Sequence, residues 1–263
     1  MKYYGLISGL PGLKIMKPAQ PPVLELRSLL EQYTEGRDAE IIYHFFYQWD
    51  LTNYNAHVQN KDWWMEGGNM DRAEIAQWFE KDQAPGTPFG EQAPTALGDR
   101  KSDIQRIQDH WETYYKVMSE RSDGALDAFL VSDQTLKNFF KSYIERKIEA
   151  KEGIHYLSGG LFDRFSYNKL MIADIQAEYP YLAQILSLFE ESDPYEREQK
   201  MLEVKWNYLD YLAFFDPFGI KGLYAWLMKY LDLAKWAQNN AERGVRYQKD
   251  FEERIITQIP SSL

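Results

Sequence analysis

The chain has 263 residues, 44% hydrophobic and 27% charged, the balance of a folded protein with a sizeable core. Its net charge of −10 argues against nucleic acid or anionic lipid as a general partner, and the absence of cysteine excludes disulfides, thiolate metal sites and thiol catalysis. No window approaches the roughly 20 apolar residues that a membrane-spanning helix needs, so direct membrane insertion is not expected.

At the N-terminus, Met1 to Pro11 has only a short apolar run, interrupted by Tyr and Gly, with no small-residue cleavage site. A cytoplasmic protein is the expectation, and Tyr3 to Ile7 reads as a short strand. Beyond Pro21 and Pro22 the periodicity becomes helical. Val23, Leu26, Leu29, Leu30 and Tyr33 form one stripe, and Ile41, Ile42, Phe45, Phe46 and Trp49 form a second. Asn69 is placed to cap a short third helix carrying Ile75, Ala76 and Phe79.

From Lys81 to Lys101 the sequence carries Pro85, Pro88 and Pro94 with Gly86, Gly90 and Gly98, and it reads as a mobile loop at 81–101. Ser102 opens the next helix, with Ile104, Ile107, Trp111, Tyr114, Tyr115 and Met118 on one face. Ser132 opens another, with Leu136, Phe139, Phe140, Tyr143, Ile144 and Ile148 inward and Gly153 as its stop. Further helices are expected over Leu161 to Ile175 and Tyr181 to Phe189.

Asp193-Pro194-Tyr195-Glu196 combines three helix-start signals: Asp at the cap, Pro at the first position and Glu three residues after the cap. That helix runs through Leu202, Trp206, Leu209 and Ala213 to a break at Asp216-Pro217-Phe218-Gly219. The last long helix starts near Ile220, with Leu223, Tyr224, Leu227, Leu231 and Ala234 on its apolar face. The chain therefore reads as an all-α, multi-helix protein, one helical domain over 1–263.

Catalytic motifs do not emerge. Gly67-Gly68 and Gly159-Gly160 lack the Gly-Lys-Ser/Thr ending of a phosphate loop, and no strand precedes them. Glu152 and His155 have the Glu-x-x-His spacing of di-iron bundles, but such a centre needs two of these motifs and further carboxylates. His44, His57 and His110 are scattered. The expectation is no catalytic residues, no cofactor and no metal.

Two aromatic groupings remain. Trp63, Trp64 and Met65, followed by the Gly pair, are the candidate partner-binding residues, because Trp dominates interface hot spots. The competing expectation is that both rings fold back and plug the core. Secondly, Trp49-Asp50-Leu51 with Tyr54 is echoed by Leu231-Asp232-Leu233 with Trp236, as repeated helical units would produce.

Tyr3-Tyr4-Gly5-Leu6 with Leu10-Pro11, followed by Phe45 to Asn53, resembles an uncharacterised bacterial family. In Bacteroidetes and chlamydiae its members are encoded beside V/A-type ATPase genes, where the gene for the C subunit is expected. Trp49-Asp50-Leu51-Thr52-Asn53 is similar to a motif of the C subunit itself, and Phe218-Gly219 through Tyr230-Leu231-Asp232 looks like its last helical unit. The resemblance implies a funnel of helical units and a non-catalytic role. It also implies the central-stalk subunits and the membrane rotor ring as partners, and a cytoplasmic position peripheral to the inner membrane. The alternative is a helical enzyme or small-molecule binder with an aromatic-lined pocket.

Overall fold

A computed structural model describes residues 2–81, 103–147, 180–188 and 191–238. Within these residues all regular secondary structure is α-helical, so the all-α expectation holds. In chain order the helices are α1 (Tyr4–Gly9), α2 (Val23–Tyr33), α3 (Gly36–Phe45), α4 (Tyr47–Val58) and α5 (Arg72–Lys81). They continue with α6 (Asp103–Ser122), α7 (Asp127–Lys147), α8 (Pro180–Leu188), α9 (Pro194–Ala213) and α10 (Ile220–Gln238). The Pro- and Gly-rich stretch lies outside the described residues from position 82 on. So do Gly153, the helix expected over Leu161 to Ile175, and the Glu152 and His155 pair.

The strand expected at Tyr3 to Ile7 is instead the short helix α1. Tyr3, Leu6 and Leu10 are all buried, and their spacing of three and four residues puts them on one helical face. Tyr3 also donates its N–H to the Phe218 carbonyl at 2.8 Å, and the segment that follows lies along α10. There the Trp226 Nε1–H bonds the Pro11 carbonyl at 3.3 Å, and the Tyr230 hydroxyl bonds the Pro21 carbonyl at 2.8 Å.

The apolar stripe expected to make one helix across Ile41 to Trp49 makes two, α3 and α4, meeting at Phe46. Phe45, Phe46 and Trp49 are all buried and touch one another edge-on or tilted, with Phe45–Trp49 centroids 5.7 Å apart and Phe46–Trp49 centroids 5.0 Å apart. A straight helix would turn adjacent residues toward different directions, and the break at Phe46 lets both rings enter the same core. After it, α4 is buried on nearly every side, including Tyr47, Gln48, Trp49, Asp50, Leu51, Asn53 and Tyr54.

Two helix starts also differ from expectation. Helix α5 is capped by Asp71, not Asn69. The Glu74 N–H bonds the Asp71 carboxylate at 2.9 Å, and the Asp71 N–H bonds the Glu74 carboxylate at 2.8 Å, a reciprocal capping box. Helix α7 begins five residues before Ser132, after a turn in which Gly124 holds φ +75°. Leu126, Phe129 and Leu130 extend the apolar stripe upstream, so Ser132 lies inside the helix, its hydroxyl 3.1 Å from that of Tyr181.

The main core is built where α3, α4, α6, α7 and α10 meet. Tyr224 of α10 is central, with its ring 5.3 Å from Phe45 and 5.5 Å from Phe129 and its hydroxyl 3.5 Å from that of Tyr114. A smaller cluster joins Leu136 and Phe139 of α7 to Tyr181, Leu182 and Ile185 of α8. Tyr181 stacks on Tyr208 of α9 at 4.0 Å, which couples α8 to the rest of the body.

Candidate functional site

The Trp49-Asp50-Leu51-Thr52-Asn53 segment acts on the loop between α4 and α5. Asp50 is fully buried, and its carboxylate accepts the N–H groups of Asn69 at 3.0 Å and Met70 at 3.1 Å. One turn along, the Asn53 amide accepts the Met65 N–H at 2.8 Å and donates to the Met65 carbonyl at 3.0 Å. From α2, Arg27 donates to the carbonyls of Gly67 and Gly68 and to the Asn69 side chain, its guanidinium lying over the Phe46 ring at 4.8 Å.

Burial pushes the Asp50 carboxyl up to about 7, against the pull of the two amide donors and of Arg27. The glycines are needed for this fit. Gly67 holds φ +90° with Val23 where a Cβ would stand, and a Cβ on Gly68 would strike the Asp50 carboxylate. The pair is therefore a pinned turn, not a flexible hinge.

The Trp63, Trp64 and Met65 grouping sits on this loop. Met65 is 2% exposed and belongs to the core, so it presents no surface to a partner. Trp63 and Trp64 are half-buried and pack against the same core, and Arg72 covers the Trp64 ring at 5.1 Å. The hydrogen bonds of Asp50, Asn53 and Arg27 draw the loop inward.

Among the described residues the most exposed rings lie at the corner between α9 and α10. Phe215 is 94% exposed, Phe214 68% and Tyr211 70%. The Phe214 and Phe215 rings stand perpendicular, 5.1 Å apart, and Tyr4 packs on Phe218 beside them at 4.9 Å.

Asp216 fixes the corner. Its N–H bonds the Ala213 carbonyl at 2.9 Å, its carbonyl accepts the Gly222 N–H at 3.0 Å, and its carboxylate accepts the Lys221 N–H at 3.3 Å. Neither Gly219 nor Gly222 has room for a Cβ, being pressed against the Asp216 carboxylate and the Pro217 carbonyl respectively. The readable signal is Phe214-Phe215 immediately before an Asp-Pro breaker, where a helix ends before its last apolar residues can turn inward.

A buried charged seam runs between α6, α7, α9 and α10. The Asp133 carboxylate accepts the Tyr115 hydroxyl at 2.6 Å and the Lys137 ammonium at 2.7 Å, and Lys137 also sits over the Trp111 ring at 3.5 Å. Across the seam, Asp232 accepts from Lys205 at 2.5 Å and from the Trp206 indole N–H at 3.1 Å. Burial works against the charge on Asp133, but the ammoniums of Lys137 and Lys205 and its two hydrogen bonds hold it well below the usual carboxylate range. Asp50 and Asp232, the matching positions of the internal echo, thus have different partners: backbone amides for one, side chains for the other.

The described histidines are packed among rings. His110 lies 4.9 Å from Tyr54 and 4.7 Å from Trp78, His57 lies 5.3 Å from Phe79, and His44 is buried beside Tyr47. Burial, followed by the charge of Arg121, lowers His44 to about 4. Among the described residues no three His, Asp or Glu side chains gather as metal ligands would. A groove of about 290 Å³ between α6 and α7 is lined by polar groups such as Glu112, Lys116 and Asp127 together with Tyr115, Leu130 and Val131.

Fold and surface together define an all-helical protein that displays a rigid aromatic corner. A family model described as a protein of unknown function (DUF2764) matches residues 173–259, the segment that holds α8, α9, α10 and this corner. No curated protein and no solved structure matches the chain.

Proposed function

We propose that the protein is a non-catalytic component of a V/A-type ATPase, similar to the C subunit, that links the central stalk to the membrane rotor ring from the cytoplasmic side. The observation that carries this reading is the Phe214–Phe215 corner. Two adjacent exposed rings stand on a backbone corner fixed by Asp216, Gly219 and Gly222, so their apolar area is available to a partner surface. The corner adjoins Phe218 to Asp232, the segment whose sequence resembles the last helical unit of the C subunit. The helical body and the pinned Trp49 to Asn53 segment support the same reading.

A small-molecule binder would instead use a deep, enclosed, aromatic-lined pocket. The α6–α7 groove is open and its lining mixes polar and apolar groups, so it favours that alternative little.

The test is co-purification from native membranes, followed by pull-down with isolated stalk subunits and rotor ring. The wild type is retained, and moderate salt weakens retention only partly because the contact is apolar with a polar rim. Phe214→Ser combined with Phe215→Ser loses retention while keeping the helical circular dichroism signal. A protein that ignores both partners and turns over a small molecule sinks the reading.

A further inference from the structure

Along α9, Glu196, Glu203, Asn207, Tyr211 and Phe214 are all exposed, and spacings of seven, four, four and three residues put them on one face. Leu202, Trp206, Leu209 and Ala213 form the buried face of the same helix. At the C-terminal end of the outward stripe stand the corner rings. Tyr211 is braced from behind: its ring stacks on Tyr208 at 5.9 Å, and Tyr208 stacks on Tyr181 of α8 at 4.0 Å.

The rest of the stripe is polar, and its acids differ in their partners. Lys200 bonds Glu191 at 2.5 Å and Glu196 at 3.4 Å, and Lys229 of α10 bonds Asp210 at 2.6 Å. Glu203 accepts only the neutral Gln199 amide, at 3.0 Å, and no described Lys, Arg or His pairs with it. It stands eight residues before Tyr211, about 12 Å along the helix. The face thus offers an apolar seat and, two turns away, an acid without a cation.

We propose that this stripe docks a basic amphipathic helix of a partner protein. Its apolar side chains seat on Tyr211, Phe214 and Phe215, and an Arg or Lys two turns away pairs with Glu203. A second helix laid along α9 repeats the same rise per residue, so one register satisfies both contacts. Charge complementarity selects this occupant. A second copy of the chain would bring another net charge of −10 and the same acidic stripe, and nucleic acid or anionic lipid would meet Glu203 with like charge. The inference rests on the corner being a protein contact, as in the function proposed above, but does not require that the partner belong to an ATPase.

The experiment titrates the full chain against two labelled synthetic helical peptides of identical composition, read by fluorescence anisotropy. Both carry a Leu pair. In the first, an Arg lies two turns to either side of the pair on the same face, so either helix direction brings one to Glu203. In the second, the Arg residues lie on the opposite face, which keeps the general attraction to an acidic chain but loses the register. The first peptide should bind about threefold tighter or more, and high salt should remove the difference.

Glu203→Gln should make the two peptides bind equally, and Glu203→Lys should favour a third peptide with Glu in place of the same-face Arg. Phe214→Ser combined with Phe215→Ser should weaken the first peptide about tenfold or more. Should Glu203→Lys lose its helical signal, Glu203→Gln decides, since it keeps the side chain's shape. Absent saturable binding, equal binding of the two peptides by wild type, or a preference that survives Glu203→Gln overturns the proposal. If the preference holds while stalk subunits and ring ignore the chain, the ATPase reading fails and this face stands. If the chain is retained but binds both peptides equally, this proposal fails and that reading stands.

Discussion

Asp50 links α4 to a turn 19 and 20 residues further on through one carboxylate. Replacing it with Ala leaves the Asn69 and Met70 N–H groups without their acceptor, and urea unfolding should show a loss of about 2–4 kcal/mol. Protonation adds a second test. Asp50 rises from 3.8 to about 7 on folding, so its stabilising contribution is complete below 3.8 and is lost as pH rises through 7. His44 falls from 6.5 to about 4, so its contribution is present above 6.5 and is lost as pH falls through 4. The two slopes oppose each other between about pH 4 and 6.5. His44→Phe should remove one of them, and the difference in unfolding free energy between variant and wild type should grow toward acid pH. A pH-independent difference would show that His44 takes up its proton in the folded state as readily as in the unfolded one.

At the scale of elements, helix ends and corners carry the local information. Asp193 accepts the N–H groups of Tyr195 and Glu196 at the start of α9, as its sequence foretells, and Asp193→Ala should cost about 1 kcal/mol. Gly222 shows the opposite kind of constraint, steric and not visible in propensity. Gly222→Ala puts a methyl against the Pro217 carbonyl, and should cost about 1–3 kcal/mol as the α9–α10 corner moves. The same variant should weaken retention by stalk and ring, because it displaces Phe214 and Phe215. Full retention with an unchanged melting temperature would show that the corner tolerates the shift and is not the contact.

Over the whole molecule, helix placement follows apolar periodicity closely, and the departures have identifiable causes. The stripe Val23 to Tyr33 gives α2 with the expected start and end, because Pro22 precedes it and Leu26 and Leu30 share its buried face. The Asp216 to Gly219 break falls where it is read, since Pro217 and the packed glycines admit no continuous helix. The far-UV circular dichroism spectrum should accordingly be dominated by helix, and a strand-dominated spectrum would overturn the fold. The site is much less legible. Trp63-Trp64-Met65 is the conspicuous aromatic run, yet the outward surface is Phe214-Phe215, because exposure depends on which loop finds hydrogen-bond partners inside.

Periodicity, capping residues and prolines are local, so the sequence by itself determined that the chain is helical and where α2, α9 and α10 begin. It also supplied the buried faces, since spacings of three and four residues place side chains on one side of a helix wherever that helix lies. Only the tertiary structure decided that α3 and α4 break at Phe46, where two adjacent rings must enter one core. It alone drew the Trp63 to Met70 loop inward onto Asp50, Asn53 and Arg27. These features join residues from distant parts of the chain, and their energies come from burial and partner geometry that no short stretch of sequence contains.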